Sequence, residues 1–178
     1  RRLHGLDGSL PDKDVAEFAF SRRRVSSGSD FLPLHLHRVV SIACALREGE
    51  SFCVWSLGTA EDGEAELIRR FFDGIEKYTP QLVSWNGSGF DLPVLHYRGL
   101  VHGVCAARYW DMGEDDRDFR FNNYISRYHA RHLDLMDLLA LYQPRGAAPL
   151  DDFARLLGFP GKLGLEGSQV WQAWQDGK

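Results

Sequence analysis

Asp91 is the residue of this sequence best placed to do chemistry, because of what precedes and follows it. Residues 81 to 97 read Gln-Leu-Val-Ser-Trp-Asn-Gly-Ser-Gly-Phe-Asp-Leu-Pro-Val-Leu-His-Tyr. Leu82, Val83 and Trp85 have the character of the end of a buried strand, and Asn86-Gly87-Ser88-Gly89 cannot extend it because these residues favour turns and positive φ. Pro93 suits the first turn of a helix, where its missing N–H costs nothing. Phe90-Asp91 therefore falls at a strand-to-helix junction, and ligands of open α/β sheets gather at the carboxyl ends of strands. The same carboxylate could instead cap the helix by accepting from its first free N–H groups.

Two further stretches carry reactive or binding side chains. Residues 105 to 132 interleave Arg108, Arg117, Arg120, Arg127 and Arg131 with Tyr109, Trp110, Phe119, Phe121, Tyr124 and Tyr128. Arginines for phosphates and aromatics for bases are what a single-strand groove uses. Equally, the aromatics could fold back on the core while Asp111, Glu114, Asp115, Asp116 and Asp118 balance the arginines. His132-Leu133-Asp134-Leu135-Met136-Asp137-Leu138-Leu139 reads as the start of a helix running through Tyr142, with Asp134 and Asp137 close enough to share a neighbour or to complement the helix dipole.

The elements that must position these residues follow from periodicity. A short helix is expected over Asp12 to Ser21, followed by a polar stretch that begins at Arg22-Arg23-Arg24 as a solvated cluster at a loop edge. Residues 39 to 46 and 51 to 57 form an antiparallel hairpin with a four-residue connection, 47 to 50. Leu67, Ile68, Phe71, Phe72, Ile75 and Tyr78 recur at helical spacing from Glu64, so a helix packs on that sheet until Thr79-Pro80 ends it. Asp62-Gly63-Glu64 stands at the start of this helix and reads as capping and dipole chemistry. Leu150 to Gly158 is expected as a helix with Phe153, Leu156 and Leu157 inward, and Ser168 caps a last helix whose Val170, Trp171 and Trp174 face the core. Lys162, in the turn before it, could reach a phosphate.

Asn86, three spacers and Phe90-Asp91 in this setting resemble N-x-x-x-F-D, motif II of the DEDD 3′-to-5′ exonucleases, and most closely the predicted exonucleases related to the proofreading domain of family-B DNA polymerases. The segment 132 to 139 resembles the H-x-D-L-x-D-L-L stretch that follows in the same family, and the likeness covers most of the chain. It implies an α/β fold, a ribonuclease H-like mixed sheet with antiparallel leading strands flanked by helices, here without the first strand and last helix. One domain over 1 to 178, incomplete at both ends, is the expectation. Asp91 then becomes the catalytic acid and a ligand of Mg²⁺ or Mn²⁺, with Asn86 and Asp134 supporting it from behind. Phe90, Arg120, Tyr124, Arg127, Tyr128 and Arg131 become the nucleic-acid contacts. Motif I, D-x-E on an earlier strand, and motif III, Y-x-x-x-D, are missing from residues 1 to 178; His129 and Asp134 match only the spacing of the histidine form of motif III.

The resemblance thus implies a metal-dependent 3′-to-5′ exonuclease acting on single-stranded DNA or RNA, with the chain itself catalytically incomplete because one acid cannot seat a pair of ions. A noncatalytic single-strand-binding module and an interaction domain on a ribonuclease H-like core are the alternatives. The 178 residues, 44% hydrophobic, suffice for one substantial core. The net charge of −4 does not advertise a nucleic-acid binder, but acids gathered at a nuclease site offset basic residues elsewhere. No stretch has the length or hydropathy of a membrane span or signal peptide, so a cytoplasmic protein is expected. Cys44, Cys53 and Cys105 are expected as reduced, buried thiols. No G-x-S-x-G, phosphate-loop or dinucleotide fingerprint occurs.

Overall fold

The computed structural model describes all residues except 60, 162, 163, 165, 166 and 178, so Lys162 lies outside the described residues. The chain divides into two compact units, Arg1–His37 and Arg38–Lys178. In the first, helix α1 spans Asp12–Ser27, six residues beyond the expected end, and stops at Gly28 with φ 70°. Arg22, Arg23 and Arg24 belong to the helix instead of a loop edge, since arginine is a good helix former. Arg24 reaches both Glu17 at 2.6 Å and Asp30 at 3.0 Å.

The second unit opens with the expected antiparallel hairpin, β1 Ala43–Glu48 and β2 Ser51–Ser56, paired from Ala43↔Ser56 to Glu48↔Ser51. Its connection is shorter than expected: only Gly49 and Glu50 lie between the strands, because Gly49 takes φ 58° and lets the chain reverse in two residues. The hairpin is not buried. Phe52 and Val54 keep 69% and 65% of their surface in solvent, Cys53 is exposed and Cys44 half-buried. Cys105 is exposed as well, so the cysteines are free but are not the buried thiols expected.

Helix α2, Glu64–Tyr78, ends where Thr79 adopts φ 42° before Pro80. Its buried Leu67, Ile68, Phe72 and Ile75 form one stripe, which packs chiefly on α3, Asp91–His102, and α4, Ala107–Trp110, with Val39 and Ile42 at its margin. Gly99 of α3 faces Ile68 and Phe72, where a Cβ would sit at ordinary contact distance, 3.7 Å. Ile68, Phe72 and Ile75 make one core with Leu92, Leu95, Tyr109, Phe119 and Tyr124. Each buried Leu, Ile or Phe contributes about 1.5–3 kcal/mol.

Strand β3, Leu82–Ser84, is where expected, although Val83 faces solvent. Its partner corrects the sequence reading. His132–Asp134 is a strand, β4, running parallel to β3 in the register Leu82↔His132, Val83↔Leu133, Ser84↔Asp134, and only Leu135–Leu139 is helix, α5. His132 and Asp134 are buried and Leu133 less so, the alternation of a strand. The single mixed sheet is also replaced: among the described residues, β1–β2 and β3–β4 are separate two-stranded sheets. The mixed α/β arrangement is nonetheless compatible with a ribonuclease H-like exonuclease domain.

Helix α6, Leu150–Leu156, stacks Phe153 on Trp85 at 5.4 Å, whereas Leu156 and Leu157 point outward against expectation. Helix α7, Val170–Gln175, has Gln169 at its N-cap position with no side-chain cap, so Ser168 does not play that part, and its two tryptophans are exposed. Among the described residues no helix is long and apolar enough to cross a membrane.

Candidate active site

The turn between β3 and α3 is built from backbone hydrogen bonds and tied down by one carboxylate. Asn86 adopts φ 60°, its carbonyl accepts from Gly89 N at 3.1 Å and Phe90 N at 3.0 Å, and Gly87 O accepts from Leu92 N at 2.9 Å. Space decides the glycines here: a Cβ on Gly87 would collide with Ser84 Oγ, and one on Gly89 with Asn86 Oδ1. Asp134, 6% exposed, lies beside Ser84 in the parallel register. Its Oδ1 accepts from Asn86 N at 2.8 Å and its Oδ2 from Ser88 N at 2.9 Å. Beneath it Ser84 Oγ and His132 Nε2 share a hydrogen bond of 2.8 Å. Burial pushes the His132 imidazole down, against the opposing charges of Asp134 and Asp137.

This scaffold delivers Asp91. It is the first residue of α3, Phe90 holds the N-cap position, and no side chain caps the helix, so the capping role that Asp91 could have taken is not the one it has. Asp91 stays solvent-exposed and, among the described residues, pairs with no cation. Protein crowding on one side raises its carboxyl above the usual range, its own N–H pulls it back, and the charge of Asp134 raises it again. Beside the turn an open depression of about 280 Å³ is lined by Asn86, Ser88, Gly89, Arg127, Asp134 and Asp137. Arg127 Nη2 meets Asp137 Oδ2 at 2.8 Å, and its guanidinium lies 4.8 Å over the Tyr142 ring.

A strand end, a glycine turn and a free acid at a helix start are matched by a family. The family described as "Predicted 3'-5' exonuclease related to the exonuclease domain of PolB" covers residues 29–178. The chain belongs to this exonuclease family. A curated relative, DNA polymerase 1 of Sulfurisphaera ohwakuensis, is 54% identical over 37 residues, which is 21% of this chain and 4% of that protein. The chain thus spans a small fraction of that relative's length. No solved structure matches it.

Exonuclease domains of this type use divalent metals. Among the described residues no three His, Cys, Asp or Glu side chains come together in a way that could hold an ion. Both oxygens of Asp134 already accept backbone N–H groups, which leaves Asp91 as the free carboxylate at the turn. Among the described residues, a paired-ion centre is therefore not assembled. The D-x-E at 62 to 64 does not supply one: Asp62 accepts from Thr59 N at 2.7 Å, and Glu64 is locked to Arg98.

The arginine and aromatic stretch divides between the two readings the sequence allowed. Tyr124 is 2% exposed, stacks on Tyr109 at 5.3 Å and donates its hydroxyl to Pro80 O, so it is a core residue with no free face. Arg131 lies 4.4 Å over Phe119 and donates to Asn122 O. Asp111 accepts from Gly113, Glu114 and Asp116 N–H groups, shaping the loop instead of meeting an arginine closely. Arg120, which donates to Gly113 O at 3.3 Å, and Tyr128, edge-on to Tyr142 at 5.0 Å, remain exposed. Only Arg127 of the six expected contacts lines the depression; Phe90 is half-buried beside Asp91. Sequence reasoning passed over Ser84, Ser88 and His132. The signal for His132 was its alternation with Asp134, two residues apart, as in a strand.

Proposed function

We propose that this chain is part of a metal-dependent 3′-to-5′ exonuclease that removes nucleotides from single-stranded ends, DNA before RNA, with Asp91 as the acid it contributes. The observation that carries the reading is the state of Asp91. At the end of β3, where the family places an acid, its carboxylate is exposed, unpaired and raised in pKa, while Asp134 and Glu64 are spent on hydrogen bonds. Asp91 would be the ligand this chain offers to Mg²⁺ or Mn²⁺. The remaining acids must come from elsewhere, so residues 1 to 178 alone are catalytically incomplete.

The chain's other residues hold and orient. Asp134 fixes the turn, and with it the start of α3, by two N–H bonds; Asn86 gives the turn its left-handed residue. Arg127, once released from Asp137, can meet a phosphate in the depression, with Tyr128, Arg120 and Phe90 as further contacts. Tyr124 and Arg131 act through the core that supports them.

The test is degradation of a 5′-labelled single-stranded oligonucleotide with Mn²⁺, with an EDTA control and Asp91→Asn, using this chain and one extended at both ends. A metal-dependent ladder from the extended protein alone, abolished by Asp91→Asn, is expected. Cutting by residues 1 to 178 would remove the claim of incompleteness; no cutting by either protein would remove the enzyme. The lack of a three-donor cluster among the described residues favours, as second reading, a noncatalytic single-strand-binding module, recognised by salt-dependent binding without turnover.

A further inference from the structure

Helix α7 carries an aromatic surface that none of the motifs accounts for. Trp171 and Trp174, three residues apart, stack with centroids 5.2 Å apart and planes at 24°. The Arg38 guanidinium lies 5.1 Å over the Trp174 ring. Trp171 keeps 55% of its surface in solvent and Trp174 keeps 40%. Arg38 is exposed, and among the described residues it forms no ion pair or hydrogen bond.

We propose that Arg38, Trp174 and Trp171 form a stacking platform for the bases of single-stranded nucleic acid. The proposal rests on the nucleic-acid reading above and names where a strand is held. An apolar protein partner covering the indoles would also have to desolvate an unpaired guanidinium, which is costly. A nucleic-acid strand has no such conflict: its base adds a third ring to the stack, and its phosphate neutralises Arg38. A duplex cannot do the same, because its base faces are already stacked.

The test is fluorescence anisotropy of a labelled single-stranded oligothymidylate at low salt in EDTA, against the duplex of that sequence. Trp171→Ala is expected to weaken single-strand binding roughly tenfold, with duplex binding unchanged. Trp171→Phe, which keeps an aromatic face, should bind within about threefold of the parent, and Arg38→Ala should weaken binding and flatten its salt dependence. Circular dichroism reports folding, and Arg38→Ala, at an exposed side chain, decides the matter if a tryptophan variant unfolds. Binding by the parent that none of these substitutions alters overturns the platform and leaves the nucleic-acid reading intact. No binding by the parent overturns both.

Discussion

Helices α2 and α3 both open on an acid, and the two acids are used in opposite ways. Glu64, 6% exposed, accepts from Arg98 Nε at 2.8 Å, from His102 Nε2 at 2.7 Å and from Val39 N at 2.8 Å. Burial alone would raise its carboxyl, but these bonds outweigh it and hold the pKa at about 2. Among the described residues Asp91 has no such partners, and its pKa is raised. Glu64 staples the two helices together; Asp91 makes no comparable contact among the described residues. Position at a helix start alone thus does not reveal whether an acid is used inside the fold.

The largest effect should come from breaking the staple. Glu64→Gln leaves the Arg98 guanidinium, only 20% exposed, without its counter-charge. Removing one member of a buried pair is costly, and since Arg98 keeps some solvent, a loss of about 3 kcal/mol in urea unfolding is expected. A loss below about 1 kcal/mol would mean that the staple is ornamental.

A smaller loss should appear on acidification, from the core that the staple holds. His96 of α3 packs against Phe72, Tyr109 and Trp110, its Nε2 has no partner, and burial lowers its pKa to about 4 from 6.5. Between those values the unfolded chain takes up a proton that the folded one refuses. Stability should therefore fall as pH drops from 6.5 to 4, by roughly 2 kcal/mol after allowing for partial exposure. The Glu64 contribution is lost lower, from 4.5 towards 2. His132, also lowered, adds to the first window with the same sign. His96→Phe should reduce that window to the His132 share while leaving the acid limb below pH 4.5, as urea midpoints across pH will show.

These regions also differ in how far the sequence disclosed them. The α2 stripe, its end at Thr79, the hairpin and the turn before Asp91 were readable, because each is fixed by local spacing and by residues with strong backbone preferences. His132–Asp134 was not. Three residues with an acid before an apolar run satisfy helix-start rules equally well, and only pairing with Leu82–Ser84, some fifty residues earlier, makes them a strand. Tyr124 was misplaced for a related reason: interleaved arginines and aromatics look the same in sequence whether the rings face bases or Tyr109. The work of Glu64 was hidden because its partners, Arg98 and His102, lie on another helix.

Asp134 stands between the two cases, a spent acid that serves the free one. Asp134→Asn keeps the shape but replaces one acceptor of the Asn86 and Ser88 N–H groups by a donor. The expected cost is about 1–2 kcal/mol. It also removes the negative charge that helps raise Asp91, so the Asp91 carboxyl, followed by NMR, should titrate at lower pH in this variant. An unchanged Asp91 titration would show that the two acids do not sense each other.

Asp91→Asn completes the comparison with the smallest effect on folding. Its carboxylate forms no ion pair among the described residues and is opposed by Asp134, so removing the charge should change stability by no more than about 0.5 kcal/mol, on the favourable side. In the extended protein the same substitution should abolish the metal-dependent ladder. An acid that matters little to the fold and entirely to turnover is one that the fold holds in reserve for substrate or metal. If Asp91→Asn instead cost as much as Glu64→Gln, the two helix starts would be alike, and Asp91 would be one more staple.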